Sequence, residues 1–255
     1  MGMHLCVCID ALFPEKDFMS GLQQAAGCGY RWYEFWSWQG RDLPLIRREA
    51  DRLGMRHAGC CVPFIPLTEP GRREEFLRGL RQSLGALQAL GGSLLIAQVG
   101  PDTGEPREEQ HRSIVEGLRA AAPMLEEAGA MLVIEPLNLR VDHAGYYLSE
   151  SEEAFSLIEE TGSPAIKVLF DIYHQQITEG DLIRRISAHI GQIGHFHAAG
   201  NPGRHELDIG EIYYPAILKA AAEAGYSGRV GLEYRPQADV RAGLARMAES
   251  FSAYL

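Results

Sequence analysis

A chain of 255 residues that is 46% hydrophobic and 23% charged can bury one large core. Lys plus Arg number 24 against 34 Asp plus Glu, and the net charge of −10 argues against a nucleic-acid partner held by phosphate neutralisation. No apolar run approaches the roughly 18 residues that span a bilayer, and Met1–Cys8 lacks a basic segment followed by a long apolar stretch, so neither a membrane anchor nor a secretory signal is expected.

Along the chain, short apolar runs alternate with stretches of helical period. A strand is predicted at His4–Cys8 and a helix over Asp17–Gly27, then Arg31–Phe35 with Asp42–Leu53, and Arg56–Cys61 with Gly71–Leu90. Ser93–Gln98 precedes a helix over Arg107–Gly129, and Met131–Ile134 precedes Ser151–Thr161. The last three pairs are Ile166–Phe170 with Asp181–Ala188, Ile193–Phe196 with Tyr213–Ala224, and Arg229–Leu232 with Val240–Tyr254. Gly27, Gly54, Gly91, Gly129 and Gly225 stand where helices should stop, as does Thr161-Gly162-Ser163-Pro164. Eight strand–helix units in this length predict an α/β fold, a (β/α)8 TIM barrel forming a single domain over 1–255. A doubly wound open sheet also alternates, but usually with fewer units. No Gly-rich fingerprint follows the first strand, where Cys8-Ile9-Asp10-Ala11-Leu12-Phe13-Pro14 stands instead.

The five cysteines, Cys6, Cys8, Cys28, Cys60 and Cys61, form no disulfide framework and suit a reducing cytoplasm. Cys6 and Cys8 share one face of the first strand. Filling of the barrel interior by small residues is favoured for these thiols over a thiolate metal site built with Cys60 or Cys61.

Four ionisable residues close four successive strands: Glu135, Asp171, His197 and Glu233. A charge at the end of a buried strand is costly unless a metal or partner neutralises it. Strand carboxyl ends of a barrel meet at one mouth, and neighbouring strands lie about 4.8 Å apart, so these four ends can surround one ion. Three carboxylates and an imidazole suit Mn²⁺ or Mg²⁺ first, with Co²⁺ and Zn²⁺ compatible. For one member alone, such as Asp171, a helix cap or exposed turn carboxylate is the plain alternative; four in phase are not explained that way.

Around this quartet, His174 follows Asp171 by three residues and is read as a substrate contact rather than a loop residue. His195 shares the strand face of His197 but sits deeper, as a satisfied core histidine. The turn Asn201-Pro202-Gly203-Arg204-His205-Glu206 is either a solvated charged loop or a substrate-binding element. In the second case Arg204 and Glu206 contact substrate, and Arg204 can clamp a carboxylate or hydroxyl through two hydrogen bonds. Trp36 and Trp38, past the second strand, can wall a sugar pocket, while other members of the cluster with Trp32, Tyr33 and Phe35 must be core. Glu34 and His57 can reach the mouth, with their roles open.

Several stretches now form a pattern: Ile134-Glu135-Pro136-Leu137-Asn138, Leu169-Phe170-Asp171-Ile172-Tyr173-His174-Gln175-Gln176, Gly194-His195-Phe196-His197, Pro202-Gly203-Arg204-His205-Glu206 and Gly231-Leu232-Glu233-Tyr234. Together with the opening from Leu12-Phe13 through Ala25-Ala26-Gly27 to Glu34-Phe35, they resemble the hydroxypyruvate isomerase family, within the wider xylose-isomerase-like barrel superfamily. The resemblance implies a cytoplasmic enzyme of carbohydrate metabolism acting on a small carbonyl or sugar substrate, with a dimer or tetramer left open. It also implies aldose–ketose isomerisation in which Glu135 and Glu233 bind metal and move the proton. His197 departs from the glutamine usual in that family and is typical of ketose 3-epimerases; it leaves the metal site intact and opens the substrate assignment.

The chemistry follows on general grounds. A divalent ion bridging a carbonyl and the adjacent hydroxyl acidifies the C–H between them by stabilising an enediolate. Two carboxylates on opposite sides then act as base and acid. Proton return to the neighbouring carbon gives isomerisation; return to the same carbon from the other face gives epimerisation. Other readings are a metal-dependent lyase or dehydratase on a keto-sugar, a non-catalytic sugar-binding barrel, and an apurinic-site endonuclease. The last would use Glu135, Asp171, His174, His197 and Glu233 within a three-zinc site completed by His57 and the Arg204–Asp208 turn.

Overall fold

Each predicted apolar run forms a strand: β1 His4–Cys8, β2 Trp32–Phe35, β3 Arg56–Cys61, β4 Leu94–Ala97, β5 Met131–Ile134, β6 Ile166–Asp171, β7 Ile193–Ala198 and β8 Arg229–Leu232. All pair in parallel in chain order, and β8 returns to β1 with His4 opposite Arg229 and Val7 opposite Leu232, closing the barrel. The chain folds as the predicted TIM barrel in this computed structural model, which describes residues 2–14 and 17–252.

The helices are α1 Ile9–Leu12, α2 Phe18–Gly27, α3 Leu43–Leu53, α4 Arg73–Leu90, α5 Arg107–Ala128, α6 Ser151–Thr161, α7 Ile172–Thr178, α8 Leu182–His189, α9 Tyr214–Glu223 and α10 Val240–Phe251. Asp42 caps α3 by accepting the Leu45 N–H at 2.9 Å. The long helices α4 and α5 stop at Gly91 and Gly129, whose φ of 71° and 61° lie in the left-handed region that ends a helix. Two short helices, α1 and α7, were not predicted, being only 4 and 7 residues long. Tyr254, the predicted end of the last helix, lies outside the described residues. Among the described residues no helix is long and apolar enough to cross a membrane.

Strand alternation sorts the side chains into two layers. Leu132, Ile134, Val168, Phe170, Phe196, Val230 and Leu232 point outward into the main core beneath the helices. Leu94, Ile96, Val133 and Leu169 point inward and fill the barrel with a separate apolar cluster. Two residues beyond Val133 stands Glu135, and two beyond Leu169 stands Asp171. The same period carries His195 to His197 and Gly231 to Glu233. The inward face thus runs from an apolar floor to an ionisable mouth.

The five cysteines are free. Cys6 and Cys8 are buried, and Cys61 half-buried, near the barrel's acidic interior, and desolvation pushes their thiols up. Cys60 joins the outer core. No cysteine takes part in a metal-holding group among the described residues, so the thiolate alternative is set aside.

Candidate active site at the barrel mouth

Glu135, Asp171, His197 and Glu233 are all buried, and each offers a ligand atom within 4.8 Å of the others. His197 Nδ1 lies 3.4 Å from Glu233 Oε2 and 3.6 Å from Glu135 Oε1. Asp171 divides its two oxygens. Oδ1 accepts the N–H of Tyr173 at 2.8 Å and of His174 at 3.2 Å, capping α7. Oδ2 faces the centre, 3.5 Å from His174 Nε2 and 3.7 Å from Arg204 Nη2. One oxygen thus serves as the cap while the other is left facing the cluster.

Three buried carboxylates beside one imidazole form an anionic cluster. Burial works against ionisation of Glu233, but His197 and Arg204 outweigh it and hold the carboxyl well below its usual range. His197 is pulled the other way: burial lowers it, and the carboxylates of Glu233 and Glu34 more than reverse that. Both ring nitrogens of His197 are buried without a formed hydrogen bond. An oxygen-rich donor set with one unpartnered imidazole fits a divalent cation.

Arg204 reaches the mouth because its backbone takes a φ of 58°, a left-handed conformation uncommon for a side-chain-bearing residue. Its carbonyl accepts the Arg235 N–H at 2.6 Å. The guanidinium hydrogen-bonds the Glu233 carboxylate and lies 5.2 Å over the Tyr173 ring. Trp36 holds the other Glu233 oxygen, its indole Nε1 donating at 2.6 Å. That tryptophan is itself fixed by Asp10, which accepts the Trp36 N–H at 2.9 Å and pairs with Arg41 at 2.6 Å. Asp10 carries no signal in the periodicity, since it lies in the four-residue α1.

His174 is fixed through Asn138. The Asn138 carbonyl oxygen accepts the backbone N–H of Val141 at 2.9 Å and of Asp142 at 3.2 Å, groups that can only donate. Its amide Nδ2 therefore faces His174 Nδ1 at 2.6 Å and Asp142 Oδ2 at 2.8 Å. With a donor against Nδ1, the ring carries its hydrogen on Nε2, which is buried without a partner beside Asp171.

Above these groups opens a cavity of about 640 Å³ lined by Trp36, Phe64, His143, His174, Arg204 and Arg235, with Glu135, His197 and Glu233 also lining it. Trp36 remains 45% exposed.

Other predicted members are placed elsewhere. Trp38 does not wall the cavity; its Nε1 donates to Ser83 at 3.1 Å, and the ring packs on the main core. Glu206 is buried away from the cavity, accepting the Gln237 N–H at 3.3 Å and facing Gly243 of α10. Both sit in loops, where no strand period fixes a direction. His57 points outward between the rings of Tyr33 and Phe35, with centroids at 5.2 and 5.0 Å, and burial pushes it down to about 3. It cannot complete a three-zinc site. Glu34 points inward but stops below the mouth, with Oε2 2.8 Å from His195 Nε2. His195 is thus a satisfied core histidine.

A family model described as "Xylose isomerase-like TIM barrel" matches residues 22–250. The chain is similar to hydroxypyruvate isomerase from Escherichia coli K12, at 34% identity over 94% of this chain and 96% of that one. It is 35% identical to 2-oxo-tetronate isomerase from Cupriavidus necator, over 92% of this chain and 94% of that one. A crystal structure of "AP endonuclease, family 2" from Brucella melitensis superposes with a TM-score of 0.92 at 30% identity, covering 100% of this chain and 99% of that one.

Proposed function

The chain belongs to the xylose isomerase-like TIM barrel family, and from that premise we propose that it is a divalent-metal-dependent isomerase of a short hydroxy-carbonyl compound, a hydroxypyruvate-like keto acid first and a short sugar second. The observation that carries this reading is the pair Glu135 and Glu233, on strands three apart in the barrel order, converging on His197 Nδ1 at the cavity floor.

Glu135, Asp171, His197 and Glu233 would hold the cation, with Mn²⁺ or Mg²⁺ matching the donor set best. When bound, it supplies electrostatic stabilisation of the negative charge that builds on adjacent carbonyl and hydroxyl oxygens. The chain's own residues do the rest. One of Glu135 and Glu233 takes the proton from the carbon beside the carbonyl, and a carboxylate returns it to the neighbouring carbon. Trp36 and Arg204 orient Glu233 through both of its oxygens. The Nε2–H of His174 offers a hydrogen bond to a substrate oxygen. The names of the similar isomerases refer to short 2-oxo acids, and cationic Arg204 and Arg235 line the cavity where a carboxylate would rest.

An epimerase reading draws on the same pair, since carboxylates on separated strands can serve both faces of one carbon. An endonuclease reading has less support. His57 faces the helices, and among the described residues the metal-holding groups are the quartet and Glu34 with His195 and His197. The test is proton NMR in D₂O of the Mn²⁺-treated, then chelated protein with hydroxypyruvate, 2-oxo-tetronate and neutral ketoses. Deuterium should enter the carbon beside the carbonyl of an oxo acid as its isomer appears, and chelation should stop both. Full turnover after exhaustive chelation, or no turnover of any of these compounds, defeats the proposal.

A further inference from the structure

Beneath the cavity, the barrel interior holds a carboxylate that proton transfer does not use. Glu34 on β2, His195 on β7 and His197 are each almost fully buried. Glu34 Oε2 is engaged by His195 Nε2 at 2.8 Å, which fixes the carboxylate in the middle of the barrel. The other oxygen, Oε1, lies 3.3 Å from His197 Nε2. Neither Glu34 Oε1 nor His197 Nε2 makes a formed hydrogen bond, and the two face each other with the Cys6 thiol beside the carboxylate.

We propose that Glu34 is the positioning residue of this centre: it accepts the Nε2–H of His197 from below and leaves Nδ1 as the ring's lone pair, facing Glu135, Glu233 and the cation they would hold. The inference rests on the metal reading above. The reverse tautomer would set an imidazole lone pair against a carboxylate oxygen in a dry interior, where unpaired polar groups are expensive. A carboxylate behind a ligating imidazole also raises the ligand's basicity and fixes its orientation.

An independent feature of β8 supports the assignment. A Cβ added at Gly231 would lie 2.1 Å from Glu34 Oε1 and 2.7 Å from His197 Cδ2. Gly231 stands directly opposite His197 in the strand register. The contact between the carboxylate and the imidazole thus passes over a position that no side chain can occupy. Cys6, opposite Gly231 on the other flank, is also small.

Two variants and one wild-type measurement test this. Zn²⁺ is the probe: it is titrated calorimetrically into apoprotein, and nitrogen NMR of ¹⁵N-histidine-labelled, Zn²⁺-loaded protein reads the ring, with the His197 signal assigned by its loss in His197→Gln. In wild type, His197 should carry hydrogen on Nε2 only. Glu34→Gln and Gly231→Ala should each weaken Zn²⁺ binding about 10- to 100-fold and disturb the His197 signal. Wild-type affinity and spectrum in both variants would overturn the proposal. So would hydrogen on His197 Nδ1 in loaded wild type, a result that stands even if a variant fails to fold. Absence of Zn²⁺ binding by wild type would sink this inference and the metal reading together. The predicted tautomer in a protein that turns over none of the carbonyl compounds would support Glu34 while defeating the isomerase reading.

Discussion

Two histidines flank the same cavity floor, and they are held by opposite kinds of partner. His197 is backed by an acceptor, the Glu34 carboxylate, at 3.3 Å. His174 is backed by donors, the Asn138 amide at 2.6 Å and its backbone N–H at 3.4 Å. One ring is thereby set to present a lone pair and the other to present a hydrogen. The residue type is the same, and on the proposed reading the group behind it would decide whether it serves as a ligand or as a hydrogen-bond donor.

The comparison presumes a proton-transfer centre that both rings serve, so the largest expected effect comes from removing it. Glu135→Gln and Glu233→Gln each keep an oxygen ligand and lose the base, and kcat should fall by about 10²-fold or more. Normal turnover by either variant in a steady-state assay breaks the comparison at its root.

Arg204 comes next, because it neutralises the carboxylate that stands against His197. Arg204→Ala should lower kcat/KM for an oxo acid by about 2–3 kcal/mol. Arg204→Lys should recover little of it, since an ammonium cannot reproduce the fork. Neutral ketoses should lose less and separate Lys from Ala less. Arg204 also helps hold the Glu233 carboxyl below its usual range. Its removal should therefore raise that group, and the acid limb of the kcat profile should move to higher pH. An unmoved limb, with equal losses on acid and neutral substrates, would leave Arg204 only a loop-ordering role.

Asn138→Asp inverts the partner of His174 and tests the contrast directly. A carboxylate against Nδ1 draws the hydrogen there and turns a lone pair toward the cavity. The lost donor should cost about 1–2 kcal/mol in kcat/KM, with Zn²⁺ affinity little changed. An unchanged kcat/KM would remove the donor function from His174.

The smallest effect concerns a third ring. His57 is backed by neither kind of partner: both nitrogens are buried without hydrogen bonds, and burial pushes it down to about 3 from 6.5. Its folded value is depressed below the unfolded one, so the unfolded chain binds the proton first. The stability this neutral ring allows is complete above about pH 6.5 and falls as pH drops toward 3, by up to about 1.4 kcal/mol per pH unit. His57→Phe should stabilise by about 1 kcal/mol at pH 7.5, and its advantage should widen at pH 5. A constant difference between the two urea unfolding curves would contradict the assignment.

Much of this was legible in the sequence. Alternation of apolar runs with helical period carried the barrel, because eight parallel strands buried on both faces read as short apolar segments. The quartet was legible because strand period is exact in phase over a few residues: Leu169 to Asp171, or Gly231 to Glu233. Partners were not. Glu34 meets His195 across 161 residues of chain, a distance that only barrel closure removes. Trp38 and Glu206 were misplaced because they lie in loops after strands, where direction is set by Ser83 and Gln237 rather than by any repeat. Asp10 and α7 were missed because a helix of one or two turns leaves too short a pattern.

Asp171 combines a helix cap and an oxygen facing the centre of the cluster in one short carboxylate side chain, and that narrows what drift can do at this position. Asparagine, serine or threonine would still start α7 and leave a folded protein, so a screen for solubility would pass them. Glutamate would keep the charge but move it one methylene away from Tyr173 and His174. A population under selection for folding alone would wander at residue 171, whereas one under selection for chemistry would be pinned to aspartate. The spectrum of residues tolerated there is thus a record of which pressure the chain has been under.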